Sequence, residues 1–193
     1  MSNAKTFRVI KHEIRVLGID DGKFTPKTVG QALVVGVVFR GGLSVEGVMH
    51  TTVAIDGLDA TQKIAQMMLA SPHCRQVRLV MLSGITFAGF NLVNIKKLSA
   101  EVGLPVLALT REKPDLDAIY QALRHLPQAE ERWRIVEAAG VIHEVTNHGV
   151  KLYVGLAGIS LAEALEVLEL TSVRGGYPEP LRVAHLIASG VTE

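Results

Sequence analysis

Two acids stand side by side in GIDDGKF, residues 18–24, directly after the branched aliphatic run IRVLGI. That run has the pattern of a buried strand, so Asp20 and Asp21 fall at its end. An ionised carboxylate pointing inward there needs a donor, a cation or a divalent metal, because removing it from water is costly. In a turn it needs nothing more, since acids before glycine commonly bond their own backbone amides. Both readings of Asp20 stand on the local sequence. A second acidic pair, Asp56 and Asp59 in DGLDAT, follows one strand pattern and opens a helix. Asp59 suits a helix cap and Asp56 a turn before Gly57; alternatively the two are further ligands for a cation.

Two more stretches carry polar groups toward the same region. LSGITFAGFN (82–91) has Gly84, Ala88 and Gly89 for sharp bends, with Ser83, Thr86 and Asn91 as polar atoms. It lacks the dinucleotide-binding glycine spacing and the phosphate-loop Lys-Ser/Thr pair. It reads as a tight strand-to-helix turn that is also able to face a ligand. GGYPEPLRVAHLIASG (175–190) sets a rigid proline lead before a helix with Arg182 and His185 three apart on one face and Glu179 at its start. Arg111, Glu112 and Lys113 either line a groove at that sheet end or form a solvated charge run. His143 and His148 fit no zinc spacing, and His12, His50, His73 and His125 read as surface or loop residues.

The elements that must position these groups follow from periodicity. EIRVLGI, QALVVGVVFR and LSVEGVMHTTVAI read as three strands, with Gly41-Gly42 turning the second into the third. LDATQKIAQMMLAS has helical spacing; VRLVMLSGI and LPVLALT are short apolar strands of the type buried on both faces. FNLVNIKKLSAEVG reads as a helix ended by Gly103. Pro114 and Pro127 open two amphipathic helices, PDLDAIYQALRHL and QAEERWRIVEAAG. VIHEVTN and VKLYVGLAG read as extended, Ser160 and Glu163 form a capping box for SLAEALEVLEL, and EPLRVAHLIASG is the last helix. Three antiparallel strands followed by alternating helix and strand predict one α/β domain spanning 1–193, its mixed sheet covered by helices on both faces. Ser2-Asn3-Ala4 resembles a scar of tag removal and is left out of the fold.

Composition limits the function. With 48% hydrophobic and 20% charged residues the chain is globular, and a formal net charge of +1 gives no global attraction to nucleic acid, so such binding requires a local patch. Cys74 is the single cysteine and makes no internal disulfide, which points to a reducing cytoplasm. No apolar stretch approaches the roughly 20 residues needed to cross a bilayer, so no membrane partner is expected.

LGIDDGKF, VAIDGLDAT, VMLSGITFAGFN, TREKPDLDAIYQAL and YPEPLRVAHLIASG, in that order over nearly the whole chain, resemble the endonuclease V-like family labelled domain of unknown function 99. The resemblance extends more distantly to endonuclease V itself. It implies a ribonuclease H-like fold whose carboxylates hold Mg²⁺ (or Mn²⁺) to cut a phosphodiester in DNA or RNA. On that implication Asp20 is the principal metal ligand, and Asp59 with Asp56 supplies the second. His185 orients water or phosphate, and Arg182, Ser83 and Asn91 meet the substrate. Two departures stand out. The third acid of endonuclease V falls here on Ser83, a neutral and weak ligand for Mg²⁺. The Pro-Tyr-Ile-Pro wedge is replaced by HTTVAIDG. The alternatives are a nucleic-acid- or partner-binding protein with a degenerate metal site, and an enzyme acting on a nucleotide or phosphorylated metabolite.

Overall fold

The computed structural model describes residues 7–26 and 28–192, so the Ser2-Asn3-Ala4 scar lies outside the described residues. In chain order the elements are β1 (Arg15–Asp21), β2 (Gln31–Arg40), β3 (Ser44–Ala54), α1 (Ala60–Ala70), β4 (Leu79–Leu82), β5 (Thr86–Phe87), β6 (Asn91–Leu92) and α2 (Ile95–Val102). They continue with β7 (Val106–Thr110), α3 (Leu116–Leu123), α4 (Ala129–Ala139), β8 (Ile142–Asn147), β9 (Val150–Ala157), α5 (Leu161–Thr171) and α6 (Glu179–Gly190). Seven strands form one sheet in the order β3-β2-β1-β4-β7-β9-β8. The first three are antiparallel, β1, β4 and β7 run parallel, and β9 and β8 return antiparallel. This is the expected mixed α/β sheet.

Alternation along β1 assigns its side chains to two layers. Leu17 and Ile19 are fully buried in a core shared with Ile64 and Met68 of α1 and Ile95 and Leu98 of α2. Val16 faces the opposite core, with Leu168 of α5 and Leu181 of α6. Each such aliphatic side chain contributes roughly 1.5–3 kcal/mol when fully buried. Gly18 belongs to the second face, and a Cβ there would run into the backbone carbonyl of Pro180. The missing side chain therefore lets α6 lie directly against β1, and Ala184 and Ala188 of α6 keep that approach close over Val35 and Val37 of β2. Asp20, which pairs with Val35 across the ladder, shares the α6 face. Asp21, opposite Val34, faces the α1 layer.

Three sequence expectations shift at element ends. The helix read from Phe90 begins only at Ile95, because Asn94 caps it by accepting from the Lys97 amide. The residues before it form the small β5–β6 hairpin around Ala88 and Gly89, both at positive φ. Pro114 stands outside α3, whose cap is Asp115 accepting from the Ala118 amide. Pro127 likewise precedes α4, whose cap position is Gln128 in the left-handed region. The Ser160–Glu163 capping box is present in both directions. Among the described residues, no helix is long and apolar enough to cross a membrane.

Candidate strand-end site

The carboxyl ends of β1, β4 and β7 lie side by side, so Asp20, Ser83 and the Thr110–Arg111 turn form one row. Ligands of open α/β sheets bind at such an edge. Ser83 is fixed by its own amide donating to Ile19 O at 3.1 Å, and Gly84 follows at φ +81, which turns the chain away and leaves the edge open. A cleft of about 790 Å³ opens there. Asp20, Ser83, Tyr177, Arg182 and His185 line one end; Ile119, Trp133 and Val136 of α3 and α4 line the other.

Asp20 is 6% exposed, and both its oxygens are engaged. Oδ1 accepts the Asp21 amide at 3.0 Å, and Oδ2 lies 2.9 Å from Nδ1 of His185, which α6 delivers across Gly18. Burial, and then the negative charge of Asp21, push the Asp20 carboxyl up from 3.8 to about 6, against the opposing pull of the Asp21 amide and His185. Asp21 is also raised by burial, partly offset by the Ala88 amide donating to its Oδ2 at 2.7 Å. The two acids thus sit on opposite faces of one strand end. His185 is the exposed member of its pair, with 62% of its side chain accessible. With its proton on Nδ1 toward the carboxylate, Nε2 is left as an acceptor on the accessible ring, with Ser189 Oγ 3.5 Å away.

Arg182 is held by Glu179, whose carboxylate takes Nε at 2.9 Å and Nη2 at 2.6 Å. Glu179 itself is buried, so the guanidinium is held from below while its other edge remains on the cleft. Tyr177, half-buried, turns its hydroxyl toward Ser83. Burial raises that phenol most, with Ser83 and Arg111 acting in the opposite sense.

The structure therefore brings together Asp20, Ser83, Arg182 and His185. It does not bring Asp56, Asp59 or Asn91 to them. Asp59 Oδ1 accepts the Ala54 amide at 3.1 Å and the Asn91 side-chain amide at 2.6 Å. Asn91 has no exposed surface; it also accepts from the Ala60 amide at 2.9 Å and donates to Ala54 O at 2.8 Å. Its hydrogen-bonding capacity is spent inside the protein, which corrects the expectation of a substrate contact. Asp56 occupies a left-handed turn at φ 51 and accepts the Phe90 amide at 2.8 Å. Buried Arg132 of α4 closes this knot by donating to the carbonyls of Asp56, Gly57, Phe90 and Pro127. The Asp56–Asp59 turn is thus a structural joint in the α1 layer, across the sheet from Asp20.

This arrangement bears on a divalent metal. Among the described residues, no three of His, Cys, Asp and Glu gather closely enough to hold one by themselves. The oxygen chemistry suits Mg²⁺ or Mn²⁺ at Asp20, a buried carboxylate without a Lys or Arg partner, with the Ser83 hydroxyl along the same edge. Mg²⁺ commonly binds through one or two carboxylates together with substrate phosphates. The residues fit an ion on those terms and not as a cage of three acids.

The sequence reading gives Tyr177 no role and divides Arg111 between lining a groove and a solvated charge run. Tyr177 lay in GGYPEP, where the prolines drew attention to the helix after it. Arg111 was one of three charges with a solvated alternative, yet its place one residue beyond β7 is itself a strand-end signal.

The Endonuclease dU family model matches residues 12–192. A UPF0215 protein of Methanothermobacter thermautotrophicus is 49% identical over 187 residues, covering 96% of this chain and 91% of the relative. Another, from Methanopyrus kandleri, is 48% identical over 188 residues, covering 96% and 95%. The crystal structure of a protein of unknown function from Archaeoglobus fulgidus superposes with a TM-score of 0.85 at 40% identity, over 93% of this chain and 99% of that one. Endonuclease V of Ciona intestinalis, solved with a 24mer DNA containing an inosine followed by a ribo-adenosine, gives a TM-score of 0.57 at 13% identity over 89% and 82%. That last likeness is one of fold. With the family model running through every element from β1 to α6, the chain belongs to the Endonuclease dU family.

Proposed function

We propose that this chain, acting as one domain in the cytoplasm, is an endonuclease that hydrolyses a phosphodiester of DNA or RNA at the strand-end cleft. Deoxyuridine-containing DNA is the first substrate to test, given the family's description. The observation that carries the reading is the Asp20–His185 pair. A buried acid on an inner strand holds an exposed imidazole over a cleft that also presents Arg182 and Ser83.

In this reading Asp20 keeps the His185 proton on Nδ1, so that Nε2 accepts the proton of an attacking water as its oxygen bonds to phosphorus. The bond from phosphorus to one sugar oxygen breaks, and that oxygen takes a proton from solvent. Arg182, held by Glu179, binds a non-bridging phosphate oxygen. A Mg²⁺ or Mn²⁺ ion bound at Asp20 would neutralise charge building on the phosphate. The apolar end of the cleft, with Trp133 and Ile119, offers a surface for an unstacked base.

The test is incubation with labelled single- and double-stranded DNA and RNA, with and without uracil or inosine, in Mg²⁺ or Mn²⁺. Cleavage that disappears in Asp20→Ala and in His185→Ala supports the reading; none across the panel sinks it. A second reading, a nucleic-acid binder without turnover, is favoured by one observation: Asp56 and Asp59 are committed to the structural joint, while Ser83 replaces the third acid. Salt-dependent binding without cleavage is its signature.

A further inference from the structure

Arg111 is the cleft's other arginine, and its setting differs from that of Arg182. It leaves the end of β7 on an exposed turn, and its guanidinium carbon lies 4.2 Å from the centroid of the Tyr177 ring. Among the described residues no carboxylate lies within ion-pair or hydrogen-bonding reach of it, although Glu112 is its neighbour in sequence. A planar cation stacked on a ring keeps its N–H edges free, while its rotation is restrained. Tyr177 is in turn well seated: its ring packs against the core under α5 and α6, and Pro178 fixes the chain behind it. The ring therefore ties the β7 turn to the lead-in of α6, within the same cleft that Asp20 and Arg182 line.

We propose that Arg111 is a phosphate-binding residue of the cleft and that Tyr177 is the positioning residue that holds its guanidinium flat for that contact. The inference rests on the nucleic-acid reading above and adds to it a second phosphate. One backbone phosphate meets Arg182 beside Asp20 and His185, and a neighbouring one meets Arg111. Each arginine has its own support, a carboxylate for Arg182 and an aromatic face for Arg111. Only the second leaves the full positive charge without a protein counter-charge, which is what an added phosphate requires.

The experiment is fluorescence anisotropy with a labelled single-stranded oligodeoxynucleotide in EDTA, where binding is read without turnover, from about 50 to about 200 mM salt. Arg111→Gln should weaken binding roughly tenfold. It should also make the slope of log K against log salt shallower by about 0.7, the loss of one phosphate contact on a single strand. Tyr177→Phe, which keeps the ring, should match the wild type in slope. Tyr177→Leu should fall toward Arg111→Gln, and adding it to Arg111→Gln should bring little further loss, because both changes remove the same contact. An unchanged slope in Arg111→Gln, with the wild type binding normally, overturns the inference and leaves the endonuclease reading standing. Tyr177→Phe losing as much as Tyr177→Leu also overturns it, since the hydroxyl and not the ring would then matter. No binding by the wild type overturns the inference, while the endonuclease reading is judged by the cleavage panel in Mg²⁺ or Mn²⁺. Arg111 is exposed, so its variant tests the proposal even if Tyr177→Leu does not fold.

Discussion

Replacing Asp20 by Asn should make the protein more stable at neutral pH while abolishing cleavage. The folded-state value of about 6 against an ordinary 3.8 is a rise of about 2 units, or roughly 3 kcal/mol held against folding when the group is ionised. Its causes are burial first and the Asp21 charge second. An amide removes both and keeps the geometry. Its oxygen accepts from the Asp21 amide, and its NH₂ donates to Nδ1 of His185 once the imidazole proton moves to Nε2. Allowing for the burial of the new amide, a gain of about 1–3 kcal/mol is expected, equivalent to roughly 5 °C in Tm for a chain of this size.

The pH dependence separates this cause from ordinary repacking. Because the folded-state pKa lies above the unfolded one, ionisation penalises the folded state. The penalty is fully present above about 6 and disappears as pH falls below 3.8, where both states carry the proton. The difference between Asp20→Asn and wild type should therefore be largest at pH 8 and shrink toward pH 4. The assay is urea or thermal unfolding of both proteins in EDTA at several pH values. A variant less stable than wild type at pH 8, or a difference that does not change with pH, refutes the reasoning. The same pair of proteins tests the ion: excess Mg²⁺ should raise the wild-type Tm at pH 8 by ligand linkage and leave Asp20→Asn unmoved.

Asn91→Ala should destabilise by about 3 kcal/mol, since it strands the buried Ala60 amide and takes one donor each from the Ala54 carbonyl and Asp59, and chemical denaturation measures it. Asp59→Ala should lower stability but leave the turnover of folded protein intact in the cleavage assay; lost turnover at unchanged stability would return Asp59 to the site. Gly18→Ala should cost about 3 kcal/mol or more by forcing α6 off β1, and should impair cleavage through displaced His185, both read on the same preparation. Ser83→Asp should tighten Mn²⁺ binding in calorimetry by adding a second charge to the strand-end row.

The sheet was legible because strand patterns are local: the meander of the first third, the two buried strands after it and the Ser160–Glu163 cap need only neighbours to be read. Asp20 and His185 were legible too, one at a strand end and one on a helix following fixed prolines. The side of the sheet was not. Whether an acid at a strand end meets another from a loop depends on which layer the loop joins. DGLDAT gives no hint that Arg132, more than seventy residues later, will donate to two of its carbonyls. The helix read from Phe90 failed for a related reason, as Asn91 and Asn94 spend their side chains on the amides of Ala60 and Lys97.

The division of labour between the two acidic pairs has a single physical origin in β1. Successive side chains of a strand point to opposite faces, so Asp20 and Asp21 serve different layers although they are adjacent. Asp21 joins the structural side, pinning the β5–β6 hairpin through Ala88, whose carbonyl in turn accepts the Asp56 amide at 2.9 Å. Asp20 joins the α6 side, where Gly18 lets a helix come close enough to set an imidazole on the carboxylate. Deleting one residue of β1 ahead of Asp20 would turn both acids to the other face and set Asp21 at the imidazole, a partner meant for the hairpin. The site therefore depends less on how many acids the chain carries than on strand register, and register is what Gly18 and the close α6 contact enforce.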